Sequence, residues 1–140
     1  MPRQDTTPTA KQVAGNQAED LAEAHLRRAG LKILLRNYRV RGGEIDAIAL
    51  DGETLVFVEV RLRRNSRFGG AAASIDARKQ QRIIHAAHCY LARFPRLAQR
   101  PCRFDCVVLD GLDDAHLEWQ PRDVVGGDFY HFARYEDGWF

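Results

Sequence analysis

A chain of 140 residues, 45% hydrophobic and 29% charged, suits one domain around a single core. Its formal net charge of +2 is too small to argue for a polyanionic partner, so any nucleic-acid case rests on where the arginines cluster. Three cysteines without paired short spacings exclude a disulfide framework, and no apolar run approaches the roughly 18 residues of a membrane span; the expectation is a cytoplasmic protein with no membrane partner.

Residues 1–12 are polar, carry two prolines and lack periodicity, and they are expected to form a disordered lead-in with no apolar signal segment. A domain is expected over 13–120. It opens on a helix through "AGNQAEDLAEAHLRRAG", in which Ala14, Ala18, Leu21, Ala22, His25 and Ala29 share one stripe and Gly30 is the stop. "LKILLRNYRV" reads as a strand ended by Gly42 and Gly43, and "GEIDAIALDGETLVFVEVR" as two more joined by an Asp-Gly turn. Helical spacing returns in "SIDARKQQRIIHAAHCYLARFP", with Gln80, Ile83, Ile84, Ala87, Leu91 and Phe94 on one side and Pro95 after the end. "CRFDCVVLDG" is a further short strand, and "HLEWQ" is a candidate for another. The order α-β-β-β-α-β predicts an α/β fold, a mixed sheet flanked by helices. Residues 121–140 are aromatic without a clear period, a tail expected on or near the domain surface.

The hairpin holds an anomaly. Glu44, Asp46 and Glu59 interrupt two strands that are otherwise apolar. If Leu50 pairs with Glu53, side-chain alternation puts Glu44, Asp46, Ile48 and Leu50 on one face with Leu55, Phe57, Glu59 and Arg61, and Ile45, Ala47 and Ala49 on the other. Asp46 then lies diagonal to Glu59, roughly 7 Å away between Cβ atoms. Carboxylates forced together in a half-buried place repel and lose hydration unless a positive charge sits between them. A divalent cation held by oxygen ligands, Mg²⁺ or Mn²⁺ rather than zinc, answers that need. An ion-pair network with Arg61, Arg63 and Lys32 or Arg39 answers it as well, and the pattern leaves both readings open. The following "RLRRNSRFGG" places Arg61, Arg63, Arg64 and Arg67 in a glycine-containing loop suited to clamp phosphates, or to lie in solvent as a charged face. His85, His88, Cys89, Cys102 and Cys106 lack the paired spacings of a structural zinc site.

These residues carry a resemblance. "GEIDAIALDGETLVFVEVR", preceded by a glutamate-bearing first helix and followed by "FGG…DARKQQRIIHAAHCYL" and "RFDCVVLD", is similar to the YraN-like family of the restriction-endonuclease-like, or PD-(D/E)xK, superfamily, over about residues 14–119. The resemblance implies an αβββαβ nuclease core. It also implies that Asp46 and Glu59 are the metal-binding acids, that Glu44 accompanies them and that Glu19 flanks the site from the first helix. Glu19 is about 100° from the centre of the helix stripe, compatible with that position. Lys79 and Gln80 match second-helix positions of the family; Lys79 is expected among the nucleic-acid contacts with Arg63, Arg64 and Arg67, while Gln80 also falls on the apolar stripe. Two departures stand out: Ala18 where the family has glycine, and Arg61 where the motif has lysine. A buried lysine is tunable and helps position or deprotonate water, whereas arginine stays charged and only orients and neutralises.

The expected function is a Mg²⁺- or Mn²⁺-dependent nuclease acting on DNA, with Asp46, Glu59, Arg61, Glu44 and Glu19 at the reacting centre and branched or repair intermediates among the candidate substrates. The alternatives are a nuclease fold that binds nucleic acid without cutting, and a protein-interaction adaptor whose contact surface is the tail around Phe129, Tyr130, Phe132, Trp139 and Phe140.

Overall fold

The structure, a computed structural model, describes residues 7–62, 77–112 and 117–125. In chain order it contains α1 (Ala10–Arg28), β1 (Lys32–Val40), β2 (Gly43–Asp51), β3 (Thr54–Leu62), α2 (Ala77–Arg93), a single 3-10 turn at Leu97–Gln99, β4 (Cys102–Leu109) and β5 (Leu117–Val125). The expected α/β class and element order are what is found. The strands lie in chain order in one sheet. All neighbours are antiparallel except β3 and β4, which run parallel because α2 carries the chain back between them. Among the described residues, no helix is long and apolar enough to cross a membrane.

α1 begins at Ala10, earlier than the periodicity alone indicates, because Thr9 caps it. The Thr9 hydroxyl accepts from the Gln12 N–H at 3.1 Å and the Gln12 side chain accepts from the Thr9 N–H at 2.8 Å. At the other end of the chain, β5 runs to Val125, past the Pro121 at which the sequence pattern loses its period.

Two apolar layers cover the sheet. On one face Ala18, Ala22 and Leu26 of α1 pack on Ala47, Ala49, Val56, Val58 and Val107. On the other, Ile83, Ile84, Ala87, Tyr90 and Leu91 of α2 pack on Ile45, Ile48, Leu55, Phe57 and Phe104. β3 is central, buried on both faces from Leu55 to Glu59. Phe94, expected on the buried stripe of α2, is instead 42% exposed at the helix end, tilted against the Tyr90 ring.

The hairpin register differs from the expected one. Asp51 pairs with Thr54 and Ile48 with Phe57, so the loop is Gly52–Glu53 with Gly52 at φ 59°. A two-residue loop that needs a positive φ at its first position puts its glycine there, which shifts the ladder by two residues. A shift of two preserves which face each residue occupies. The ladder's last pair is Ala47↔Val58, and continuing its register would put Asp46 at the level of Glu59 rather than diagonal to it.

Candidate active site

β2 and β3 pair regularly from the turn to Ala47↔Val58 and then separate. Beyond that point β2 continues on β1 alone, and β3 continues on β4 alone, through Glu59↔Cys106 and Arg61↔Val108. Asp46 occupies the fork, and its carboxylate replaces the missing ladder, accepting from the Val60 N–H at 2.8 Å. The pleat breaks at the same level. Asn37, across from Asp46 on β1, is a non-glycine residue at φ 53°. On its two sides Arg36 reaches the acids of α1 while Tyr38 meets Tyr90 of α2. Ile45 thereby joins the α2 layer, not the face of Ala47 and Ala49 that strict alternation assigns to it. This local twist lets acids from one strand pair face elements on both sides of the sheet.

Glu59 is 4% exposed. Burial, and next the negative charge of Asp46 within hydrogen-bond reach, push its carboxyl up to about 8, with the Lys79 ammonium opposing the shift. Lys79, at the start of α2, brings Nζ to 2.6 Å from Oε1 of Glu59. At that distance the ammonium is the charge partner of the buried Oε1. α2 reaches this position because Gly43, the first residue of β2, has no side chain: a Cβ there would run into the Arg82 carbonyl and the Ala86 backbone. Lys79, Arg82 and Ala86 share one helix face.

Glu19 lies on the opposite side, near enough to Asp46 that the latter's charge adds to burial in raising its carboxyl, against Arg36 and Asn37. Arg36 holds three acids of α1: Asp20 at 2.6 Å, Glu23 at 3.2 Å and Glu19 at 3.3 Å. Glu44 is turned to Arg39, its partner across the β1 ladder, at 3.8 Å. No three acids, histidines or cysteines converge on one point among the described residues, so the close acid pair is Asp46 with Glu59. Arg61 is partly buried two residues beyond Glu59, where alternation puts it on the same face of β3. An open groove of about 410 Å³ leads outward from Glu19 between α1 and β1, lined by Gln12, Asn16, Asn37 and Arg39.

Of the residues singled out from sequence, the fold brings Asp46, Glu59 and Lys79 together, puts Glu19 beside them and leaves Glu44 at the rim. Arg63, Arg64 and Arg67 lie outside the described residues, as do the tail aromatics. Pattern reading missed Arg36 and Asn37. The signal for Asn37 was present, an asparagine within a strand run, a residue type that tolerates positive φ. Nothing local marks Arg36, whose partners lie 13 to 17 residues away. A second buried acid, Asp105, was also legible as a charge inside an apolar strand; it is held by Arg103 at 2.9 Å and by the Trp119 indole N–H at 2.8 Å, on the α1 face.

The arrangement can bind a cation and can share a proton between two carboxyls. Comparison with known proteins adds a lineage. The family model of the uncharacterised protein family UPF0102 matches residues 18–109, a span from α1 to the end of β4. A UPF0102 protein of Pseudomonas entomophila is 50% identical over 117 residues, covering 82% of this chain and 93% of that relative. One from Dechloromonas aromatica is 55% identical over 115 residues, covering 82% and 88%, and one from Pseudomonas aeruginosa is 54% identical over 108 residues, covering 75% and 86%.

Proposed function

The chain belongs to the uncharacterised protein family UPF0102, a membership that names no reaction, and from its site we propose a nuclease of the restriction-endonuclease-like superfamily that hydrolyses DNA phosphodiester bonds with Mg²⁺ or Mn²⁺. The observation that carries this reading is the pair Asp46 and Glu59 at the fork. Two carboxyls within hydrogen-bond reach, one of them almost wholly buried, oppose each other's ionisation: burial, and next the Asp46 charge, push Glu59 up to about 8 against the Lys79 ammonium. A cation between them removes that opposition.

The residues fit such an ion. Both donors are carboxylate oxygens, and Oε1 of Glu59 is buried and already draws a cationic group, the Lys79 ammonium at 2.6 Å. Two acids are the complement with which Mg²⁺ keeps several waters. When bound, the ion supplies charge neutralisation at the phosphate and acidification of a water. The chain's own groups do the rest. The Val60 N–H fixes the Asp46 carboxylate. Glu19, held by Arg36, bounds the fork on the α1 side, and the polar groove beside it has room for a nucleotide. Arg61, Arg63, Arg64 and Arg67 are proposed to meet the nucleic-acid backbone. In the reaction a water oxygen forms a bond to phosphorus, the bond from phosphorus to one sugar oxygen breaks, and one water proton ends on that sugar oxygen while the other leaves to solvent.

Arg61 in the motif's lysine position favours a second reading, a nucleic-acid-binding module with the nuclease fold and no turnover. A cleavage panel of duplex, single-stranded and branched DNA with and without Mn²⁺ separates the two. Cutting by the parent protein that disappears in Asp46→Ala supports the nuclease. Mn²⁺ and DNA binding without cutting on any form leaves the binding module, and no Mn²⁺ binding at all removes the metal site.

A further inference from the structure

We propose that Lys79, delivered by α2, takes the place of the lysine that β3 lacks: its ammonium holds the cation position between the acids of the metal-free site, and is handed to the scissile phosphate and its attacking water when a divalent ion enters. The inference rests on the nuclease reading and names the residue that completes it. Three observations carry it. Nζ of Lys79 is 2.6 Å from the buried Oε1 of Glu59, the acceptor a divalent ion would use, and Asp46 and Glu44 lie within its electrostatic reach. The Lys79 side chain is 44% exposed while that of Glu59 is 5% exposed, so the amine bridges from the acids to the surface where a phosphate would approach. Gly43 permits backbone contact of α2 with β2 one helical turn beyond Lys79, which sets the height of the lysine over the fork.

An ammonium and a divalent cation cannot share one carboxylate oxygen at contact distance without strong repulsion. With an ion held by Asp46 and Glu59, Nζ would turn outward on its flexible four-carbon stem, toward the side from which substrate would arrive. There it donates N–H hydrogen bonds to the attacking water and to a non-bridging phosphate oxygen, with no proton transferred by the lysine itself. Arg61 remains a fixed charge on β3, so the division of labour is charge from the strand and adjustable donation from the helix.

The test compares the parent with Lys79→Met, Lys79→Gln and the double variant Lys79→Met/Arg61→Lys, using Mn²⁺ titration by calorimetry and DNA cleavage, with thermal melts to establish that each is folded. Removing the competing ammonium should tighten Mn²⁺ binding severalfold in both single variants, a response opposite to that of general damage to the site. Cleavage should fall about 100-fold or more, the usual scale for a positioned donor. Restoring a lysine at position 61 should recover at least tenfold of it. Unchanged or weaker Mn²⁺ binding in the single variants, undiminished cleavage, or no recovery in the double variant each overturns the role of Lys79 while leaving the Asp46–Glu59 site standing. A parent that binds no Mn²⁺, or cuts no DNA, removes the nuclease reading and the inference with it.

Discussion

Glu59 gives the site its sharpest pH signature. On the proposed reading Glu59 must be deprotonated to bind metal, and burial and Asp46 push this carboxyl from its ordinary value near 4.5 up to about 8. Mn²⁺ affinity should therefore climb about tenfold per pH unit between about pH 6 and 8 and level off above, with close to one proton released on binding at the lower end. Calorimetry in buffers of different ionisation enthalpy measures both. The sign for stability is the reverse. With the folded value above the unfolded one, the contribution of Glu59 is full below about 4.5 and is lost as pH rises through about 8. The metal-free protein should melt lower at pH 8.5 than at pH 6, Mg²⁺ should narrow the gap, and Glu59→Gln without metal should melt above the parent at pH 8.5. Asp46→Asn preserves an oxygen to accept from the Val60 N–H, so the fold should persist while Mn²⁺ binding drops at least tenfold. Unaltered Mn²⁺ binding in that variant would remove Asp46 from the site.

At the scale of elements, the fork depends on two backbone positions rather than on any acid. Asn37 adopts a left-handed conformation that β-branched residues avoid, at a cost of about 1–2 kcal/mol. Asn37→Gly should be nearly neutral in urea denaturation. Asn37→Val should lose about that amount and also weaken Mn²⁺ binding, because the twist it supports directs Arg36 and Tyr38 to opposite faces. Gly43→Ala puts a methyl group against the α2 backbone, and overpacking of this kind costs about 1–3 kcal/mol. The same variant lifts Lys79 away from Glu59. An Asn37→Val protein as stable as the parent would show that the strand twist does not need the left-handed residue.

For the molecule as a whole, a buried ion-pair network on β4 lies on the face opposite the Glu59–Lys79 contact of the proposed site. Arg103 pairs with Asp105 on its own strand at 2.9 Å and links β4 to the end of β2 through Asp51 at 2.9 Å, and the Trp119 indole brings β5 into the network. Arg103 is mostly buried and the Asp105 side chain is fully so. Asp105→Ala leaves a buried guanidinium short of its main partner, and a loss of about 3–5 kcal/mol is expected from a urea midpoint followed by tryptophan fluorescence. A loss under about 1 kcal/mol would mean that water or Asp51 replaces the missing carboxylate. Nucleic-acid affinity should depend on other residues. Replacing Arg63, Arg64 and Arg67 together with alanine should weaken binding to every DNA sequence alike and flatten its salt dependence by up to about three counterions. A salt slope equal to the parent's would make that run a solvated face.

The sequence alone determined the element order, the two covered faces of the sheet and the presence of acids where a buried strand has no use for them. It did so because hydrophobic periodicity records which side of a helix or strand meets the core, and because Asp46 and Glu59 violate that record in a recognisable spacing. Periodicity is blind to a slip of two residues, which keeps every side chain on its own face, so the register from Asp51↔Thr54 to Ala47↔Val58 was settled by the glycine of the turn. It is equally blind to a strand that changes face midway, as β2 does between Ala47 and Ile45. The ends of long charged side chains were beyond it altogether. Arg36 finds its acids on α1, and Lys79 finds Glu59 from 20 residues further along the chain, because burial and acid charge gathered by the fold draw them there. Only packing α2 onto Gly43 placed an amine where the strand motif carries arginine.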